Sequence, residues 1–348
     1  MIAVLLLIAM GMEAVYSVDL SRGPELVLFK KQFIAFGIGM VLVVFASMLH
    51  YSWFRSGAKL AYAFALFLLG FVLVFGQTIR GTRGWFVLGG FSFQPVEFAK
   101  VAIILILAAV VAHFGRRFER PLFFFGTGAM ALIMMVLVMS QPDLGSAVLI
   151  GTIWFGLMYL VGARARHIGG LVVVGLFFSV VAWFFLLQPY QKDRLLNFVH
   201  PDRDPLDTGY NVTQSTIAVG AGKLFGRGLG FGSQSQLRFL PEAQTDFVFS
   251  VIGEELGFAG SAILVILYGV MLWRLVIIMK DTNDDFVSAT IAGIIVLFSS
   301  QFFINIGAEI GLLPVTGVTL PFVSYGGSSL MINLLLIGIA ESMVVKKY

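Results

Sequence analysis

Apolar runs long enough to cross a lipid bilayer follow one another along nearly the whole chain, and they limit what it can fold into. About 20 residues at ~1.5 Å rise per residue cross the hydrocarbon as an α-helix. Ten such runs are present, roughly 1–17, 32–49, 60–76, 96–112, 122–139, 144–161, 168–187, 256–279, 287–306 and 328–345. They do not alternate polar and apolar residues, as barrel strands would. With 59% hydrophobic residues, 12% charged and a mean hydropathy of +0.95, the chain is no soluble globule. The expectation is an all-α, polytopic membrane protein with ten transmembrane helices. The first run has neither a basic leader nor a small-residue cleavage site after it, so it reads as a retained helix.

One polar stretch of 58 residues, Gln188 to Thr245, interrupts this pattern between the seventh and eighth runs. Loops of such length are uncommon and usually functional. It carries Lys192, Arg194, Arg203, Lys223, Arg227 and Arg238 beside Asp193, Asp202, Asp204, Asp207 and Glu242. That mixture suits a polar, anionic ligand at a membrane surface. Ten spans put both termini on one side, whose short loops and tail hold eleven Lys and Arg. The opposite short loops hold five, and the long loop's six bring that side level. Long segments cross membranes largely regardless of charge. The termini are therefore expected in the cytoplasm and the 58-residue loop outside.

Gln-Pro occurs at 94, 141 and 188, two intervals of 47 residues, with an acid following the first two copies as Glu97 and Asp143. Helix starts at a similar depth explain this, as would two duplicated hairpins; Pro is at home in a first helical turn. No low-complexity linker divides the chain, so residues 1–348 read as one domain. The absence of cysteine excludes disulfides, and the four histidines lie in separate segments, so no histidine-based metal site is visible. Nothing points to nucleic acid.

Several polar groups lie within or beside the runs. Glu97 and Lys100, three apart, share a helix face, and an intramembrane charge pair is a functional-site candidate. A purely structural pairing is the alternative. Asp143 reads as a first-turn helix acid. Asp246 has two readings. It can cap a helix by accepting from the N–H groups two and three residues on. It can also be a partly desolvated carboxylate at the bilayer boundary, placed to take a proton from a hydroxyl. Glu242, Glu254 and Glu255 are the competing acids. Residues 305–329 are too broken by Gly and Pro to form one helix. Irregular backbone at membrane depth is tolerated where it is buried in protein or lines a wet cavity.

Four ordered blocks carry a resemblance: Phe93–Lys100, Gln141–Gly145, Phe239–Phe249, and Asn305 with Gly311–Val318 and Pro321–Ser329. Together they resemble the shape, elongation, division and sporulation family, nearest its RodA branch, over nearly the whole chain. Ala243-Gln244 depart from the basic residue and His that relatives often carry there. The resemblance implies ten spans, a large outer loop, and peptidoglycan glycosyltransferase activity on lipid II in the bacterial plasma membrane for cell elongation. It implies a class B penicillin-binding protein as transpeptidase partner. It also maps the family's essential acid onto Asp246 and its acid–lysine pair onto Glu97 and Lys100.

That activity needs a base for the acceptor hydroxyl and cations for the departing pyrophosphate. Lys192 and Arg194, just after the seventh run, are the first candidates for the cations. Arg83 and Arg238 approach from neighbouring loops, Glu242 joins them as a substrate-binding candidate, and Arg203 and Arg227 read as solvated charges. No cofactor is required by the sequence; a divalent cation is the one it leaves open, without marked metal ligands. The competing class is a transporter that flips lipid II.

Overall fold

The computed structural model describes residues 1–79, 81–89, 91–114, 121–160 and 208–345, with isolated positions between 161 and 207. The described residues are mostly helical. Seven helices are long and apolar enough to cross a membrane: α1 (Ile2–Leu20), α2 (Val27–Met48), α3 (Tyr51–Phe75), α4 (Pro95–Phe114), α9 (Val248–Lys280), α10 (Asp285–Glu309) and α11 (Gly327–Val345). Two shorter apolar helices, α5 (Pro121–Met139) and α6 (Leu144–Leu160), coincide with the fifth and sixth expected runs. The seventh, 168–187, lies almost wholly outside the described residues.

One expectation is corrected. Residues 77–93 form a three-stranded antiparallel sheet of β1 (Gln77–Ile79), β2 (Thr82–Leu88) and β3 (Phe91–Phe93). It pairs Trp85 with Gln77 and Phe86 with Phe93. Gly81 and Gly89 supply the positive φ, 78° and 55°, at the two reversals. Within the long polar stretch, Thr208–Ala221 form helix α7 and Ser233–Gln236 the single turn α8.

The chain divides into two compact units, one of Met1–Met48, Leu196–Leu275 and Phe298–Ser342, the other of Leu49–Leu195, Val276–Leu297 and Met343–Tyr348. In the first unit, small residues let helices approach closely. Gly39 of α2 faces Leu334 of α11, and Gly338 of α11 faces Val43. In the second, α4 is the central helix, apolar all round and buried over most of its length. Gly293 of α10 packs on Ile104 of α4, and Gly156 of α6 on Val296.

Candidate active site

Asp246 lies at the end of a tight turn in the first unit. Glu242, at φ 54°, reverses the chain so that its carbonyl accepts the N–H groups of Thr245 at 3.0 Å and Asp246 at 3.1 Å. The turn is then held from outside. Asn305 Nδ2 donates to the Asp246 carbonyl at 3.2 Å and to the Val318 carbonyl at 3.0 Å. The Ser324 hydroxyl donates to the Thr245 carbonyl at 2.6 Å and accepts the Leu320 N–H at 2.8 Å. The Tyr325 N–H donates to the Gln244 carbonyl at 2.8 Å. Gln32 of α2 braces this segment, donating to the Ser324 carbonyl at 3.2 Å and accepting the Gly326 N–H at 3.1 Å. Several polar groups of the irregular backbone of 310–326 are thereby satisfied, partly by fixing residues 244–246. Buried polar groups without such partners would be costly.

The helix that follows, α9, is capped from elsewhere in the chain. Glu309, at the end of α10 and 0% exposed, accepts the N–H of Phe249 at 3.3 Å, the N–H of Ser250 at 2.6 Å and the Ser250 hydroxyl at 2.8 Å. Ser215 of α7 completes the knot, 2.5 Å from the Ser250 hydroxyl and donating to the Glu309 carbonyl at 2.7 Å. Glu309 thus accepts N–H groups at the start of α9, just after the half-buried Asp246.

The competing acids are occupied. Glu254 accepts the N–H groups of Gln234 at 2.9 Å and Ser235 at 3.2 Å, holding the start of α8. Glu255 accepts the Ser17 hydroxyl of α1 at 2.5 Å. Glu242 accepts Gln244 Nε2 at 3.0 Å and the Thr245 hydroxyl at 3.3 Å. Gln244 also takes Arg22 on its other side, at 2.9 Å. The departure noted at 243–244 therefore produces a chain from Arg22 through Gln244, two residues before Asp246, to Glu242.

Of the expected cations, Arg238 donates to the Ser21 carbonyl at 2.7 Å, and Arg83 donates to the carbonyls of Val74 at 3.0 Å and Gly76 at 3.4 Å. Both side chains are partly engaged in tying down helix ends. Lys192 is half-buried; Arg194 and Arg203 lie outside the described residues. Among the described residues, no group of three or more His, Asp or Glu is arranged to hold a metal ion.

Glu97 and Lys100 form an ion pair of 2.8 Å in the second unit, 5% and 2% exposed. Beside them, Gln94 Nε2 donates to Asp143 at 3.3 Å. Asp143 caps α6, accepting the Ser146 N–H at 2.9 Å and hydroxyl at 2.8 Å. Desolvation raises its carboxyl above the ordinary value, against the pull of the two Ser146 bonds and of Lys100. Asp143 stands one residue before α6 as its N-cap rather than within the first turn, and the first two Gln-Pro copies meet through Gln94 and Asp143.

Sequence reasoning missed Glu309 and Arg22. Nothing local marks either, because Glu309 acts on residues 59 and 60 positions away and Arg22 on one 222 away.

Residues 1–348 match the family model described as "Cell cycle protein", FtsW/RodA/SpoVE. The chain belongs to this family. It is 38% identical to stage V sporulation protein E of Bacillus subtilis, over 97% of this chain and 94% of that one. It is 36% identical to peptidoglycan glycosyltransferase MrdB of Escherichia coli, over 97% and 91%. Among solved structures, it resembles a chain from work on the structural coordination of polymerization and crosslinking by a peptidoglycan synthase complex. There the TM-score is 0.82 at 32% identity, covering 99% of this chain and 97% of that one. It also resembles the rod shape determining protein RodA of Thermus thermophilus, with a TM-score of 0.75 at 30% identity, over 100% and 96%. The fold is that of a multi-pass membrane protein of this family.

Proposed function

We propose that the chain is a peptidoglycan glycosyltransferase that polymerises lipid II, with Asp246 as general base. The observation that carries this reading is the division of labour at the start of α9. Glu309 caps the helix, and Asn305 and Ser324 hold the backbone on either side of Asp246. Between these fixed points Asp246 is a half-buried carboxylate two residues before α9, a position that suits a general base.

The acceptor GlcNAc 4-hydroxyl attacks the donor MurNAc anomeric carbon and gives its proton to Asp246. The carbon–oxygen bond to the lipid pyrophosphate breaks, and the electron pair leaves with the pyrophosphate. An α-linked donor thereby yields a β-1,4 strand by one in-line inversion, with no covalent intermediate. Lys192, Arg194 and Arg22 are the cations assigned to the leaving group, with Arg83 and Arg238 as further substrate contacts. Glu242 orders the turn through Gln244. Glu97 and Lys100 act as a structural pair within the membrane.

In this reading the membrane is the bacterial plasma membrane and the chain is one domain of ten spans, the seventh over 168–187. The termini are cytoplasmic and residues 188–245 lie outside. The partner is a class B penicillin-binding transpeptidase, which the described coordination of polymerization and crosslinking in a relative's complex supports. Purified protein given lipid II in detergent is expected to form glycan polymer, and Asp246→Asn to lose it. Detergent has no two sides, so polymer there also rules against a flippase. Absence of polymer with active transpeptidase partner present would overturn the assignment.

A further inference from the structure

Helix α9 is broken at Gly257, which sits at φ 67°, ψ −161° within its 33 residues. A break orphans backbone groups on both sides, and residues 222–228 are spliced into it. The Phe258 and Ala259 N–H groups donate to the carbonyls of Lys223 at 2.8 Å and Leu224 at 3.0 Å. In return, the Arg227 and Gly228 N–H groups donate to the carbonyls of Glu254 and Glu255, both at 3.0 Å. Gly226 N–H closes the turn on the Gly222 carbonyl at 2.7 Å. A Cβ on Gly222 would stand 1.8 Å from the Gly253 carbonyl oxygen, and one on Gly226 2.0 Å from that of Glu255. The splice is thus a fixed part of α9, not a loop resting on it.

What it presents is apolar and basic together. Leu224 is 63% and Phe225 84% exposed, next to Phe258 at 68%, and Lys223 and Arg227 are exposed on either side of them. Beyond the break, residues 258–280 make about 34 Å of helix, a complete bilayer crossing on their own. Its exposed side chains include the apolar Ile266, Val270 and Trp273, as a lipid-facing surface requires, with Arg274 and Lys280 exposed toward its far end. Phe258 opens that crossing, and Leu224 is bonded to its first turn. The two exposed side chains of the splice therefore continue the lipid-facing surface at the depth where it begins. Aromatic residues and snorkelling cations at that level are the pattern of a membrane interface.

We propose that residues 222–228 are a lipid-binding knuckle. Leu224 and Phe225 enter the headgroup–acyl boundary, and Lys223 and Arg227 bind the phosphates of anionic phospholipids. It fixes the depth of α9, and with it the height of Asp246 above the hydrocarbon.

The chain has no cysteine, so Phe225→Cys can carry a single spin label in vesicles of phosphatidylglycerol and phosphatidylethanolamine. Collision with oxygen is expected to exceed collision with a water-soluble nickel chelate, as for a label at Phe258→Cys and unlike one at the exposed Glu25→Cys. A label at 225 that meets the chelate as freely as one at 25 overturns the insertion and leaves the surface to a protein partner. For the headgroup, the excess of motionally restricted spin-labelled phosphatidylglycerol over phosphatidylcholine is compared between the parent and Lys223→Gln/Arg227→Gln. The excess is expected to fall in the double variant; an unchanged ratio overturns the anionic-lipid assignment.

Discussion

Glu309 accepts the backbone N–H of Ser250 at 2.6 Å across 59 residues of sequence. The start of α9 is therefore set by the end of α10, and the turn carrying Asp246 is anchored to a point the substrate need not touch. A buried donor left without its acceptor costs about 1–3 kcal/mol. Glu309→Ala is expected to lower the melting temperature and activity together. Glu309→Gln, which keeps one acceptor and the shape, should recover part of both. Melting in detergent beside lipid II polymerisation checks this.

Asp246→Asn is expected to separate chemistry from stability. A positioned base contributes about 10²–10⁴ in rate, so polymerisation should fall by that order. Since Glu309 supplies the cap, the stability change should be smaller than the ~1 kcal/mol an N-cap is worth. A large drop in melting with modest loss of rate would return Asp246 to the capping role.

The Glu97–Lys100 pair is buried. Either neutral single substitution strands a charge, at a cost of about 3–5 kcal/mol for a fully buried pair. Glu97→Gln and Lys100→Met should each melt early, and the swap Glu97→Lys/Lys100→Glu should regain part of the loss. Unchanged melting with non-rescuable inactivity would place the pair on the substrate.

Arg22 reaches the turn two residues before Asp246. Arg22→Ala is expected to slow polymerisation on the order of tenfold or more, about one hydrogen bond to a charged group. Arg22→Lys should restore only part, because the planar fork is lost. Rates against lipid II concentration for these and for Arg238→Ala compare the two arginines directly. Arg238, engaged with Ser21, should affect melting at least as much as rate.

Two neighbouring glycines should respond oppositely to alanine. Gly222→Ala drives a methyl into the Gly253 carbonyl, and overpacking of this kind costs about 1–3 kcal/mol or more. Gly220, helical and with open space around its Cβ position, should gain up to about 1 kcal/mol as alanine. Thermal melting of the two variants decides.

The membrane class and nine of the apolar helices were legible in the sequence, because hydropathy and helix-length runs are local properties of consecutive residues. An acid at the start of α6, Asp143, and Glu97–Lys100 as a pair were legible for the same reason, since their partners lie three residues away. The sheet at 77–93 was not, because three short strands without a long alternating run leave little signal. Nor was the cap of α9, where the sequence offers Asp246 by adjacency. Only the tertiary structure brings Glu309 to the same N–H groups, and a backbone donor is satisfied by whichever acceptor the fold delivers. The break at Gly257 follows the same rule. Its orphaned peptides are tolerable only because residues 222–228, some thirty positions earlier, fold back to bond them.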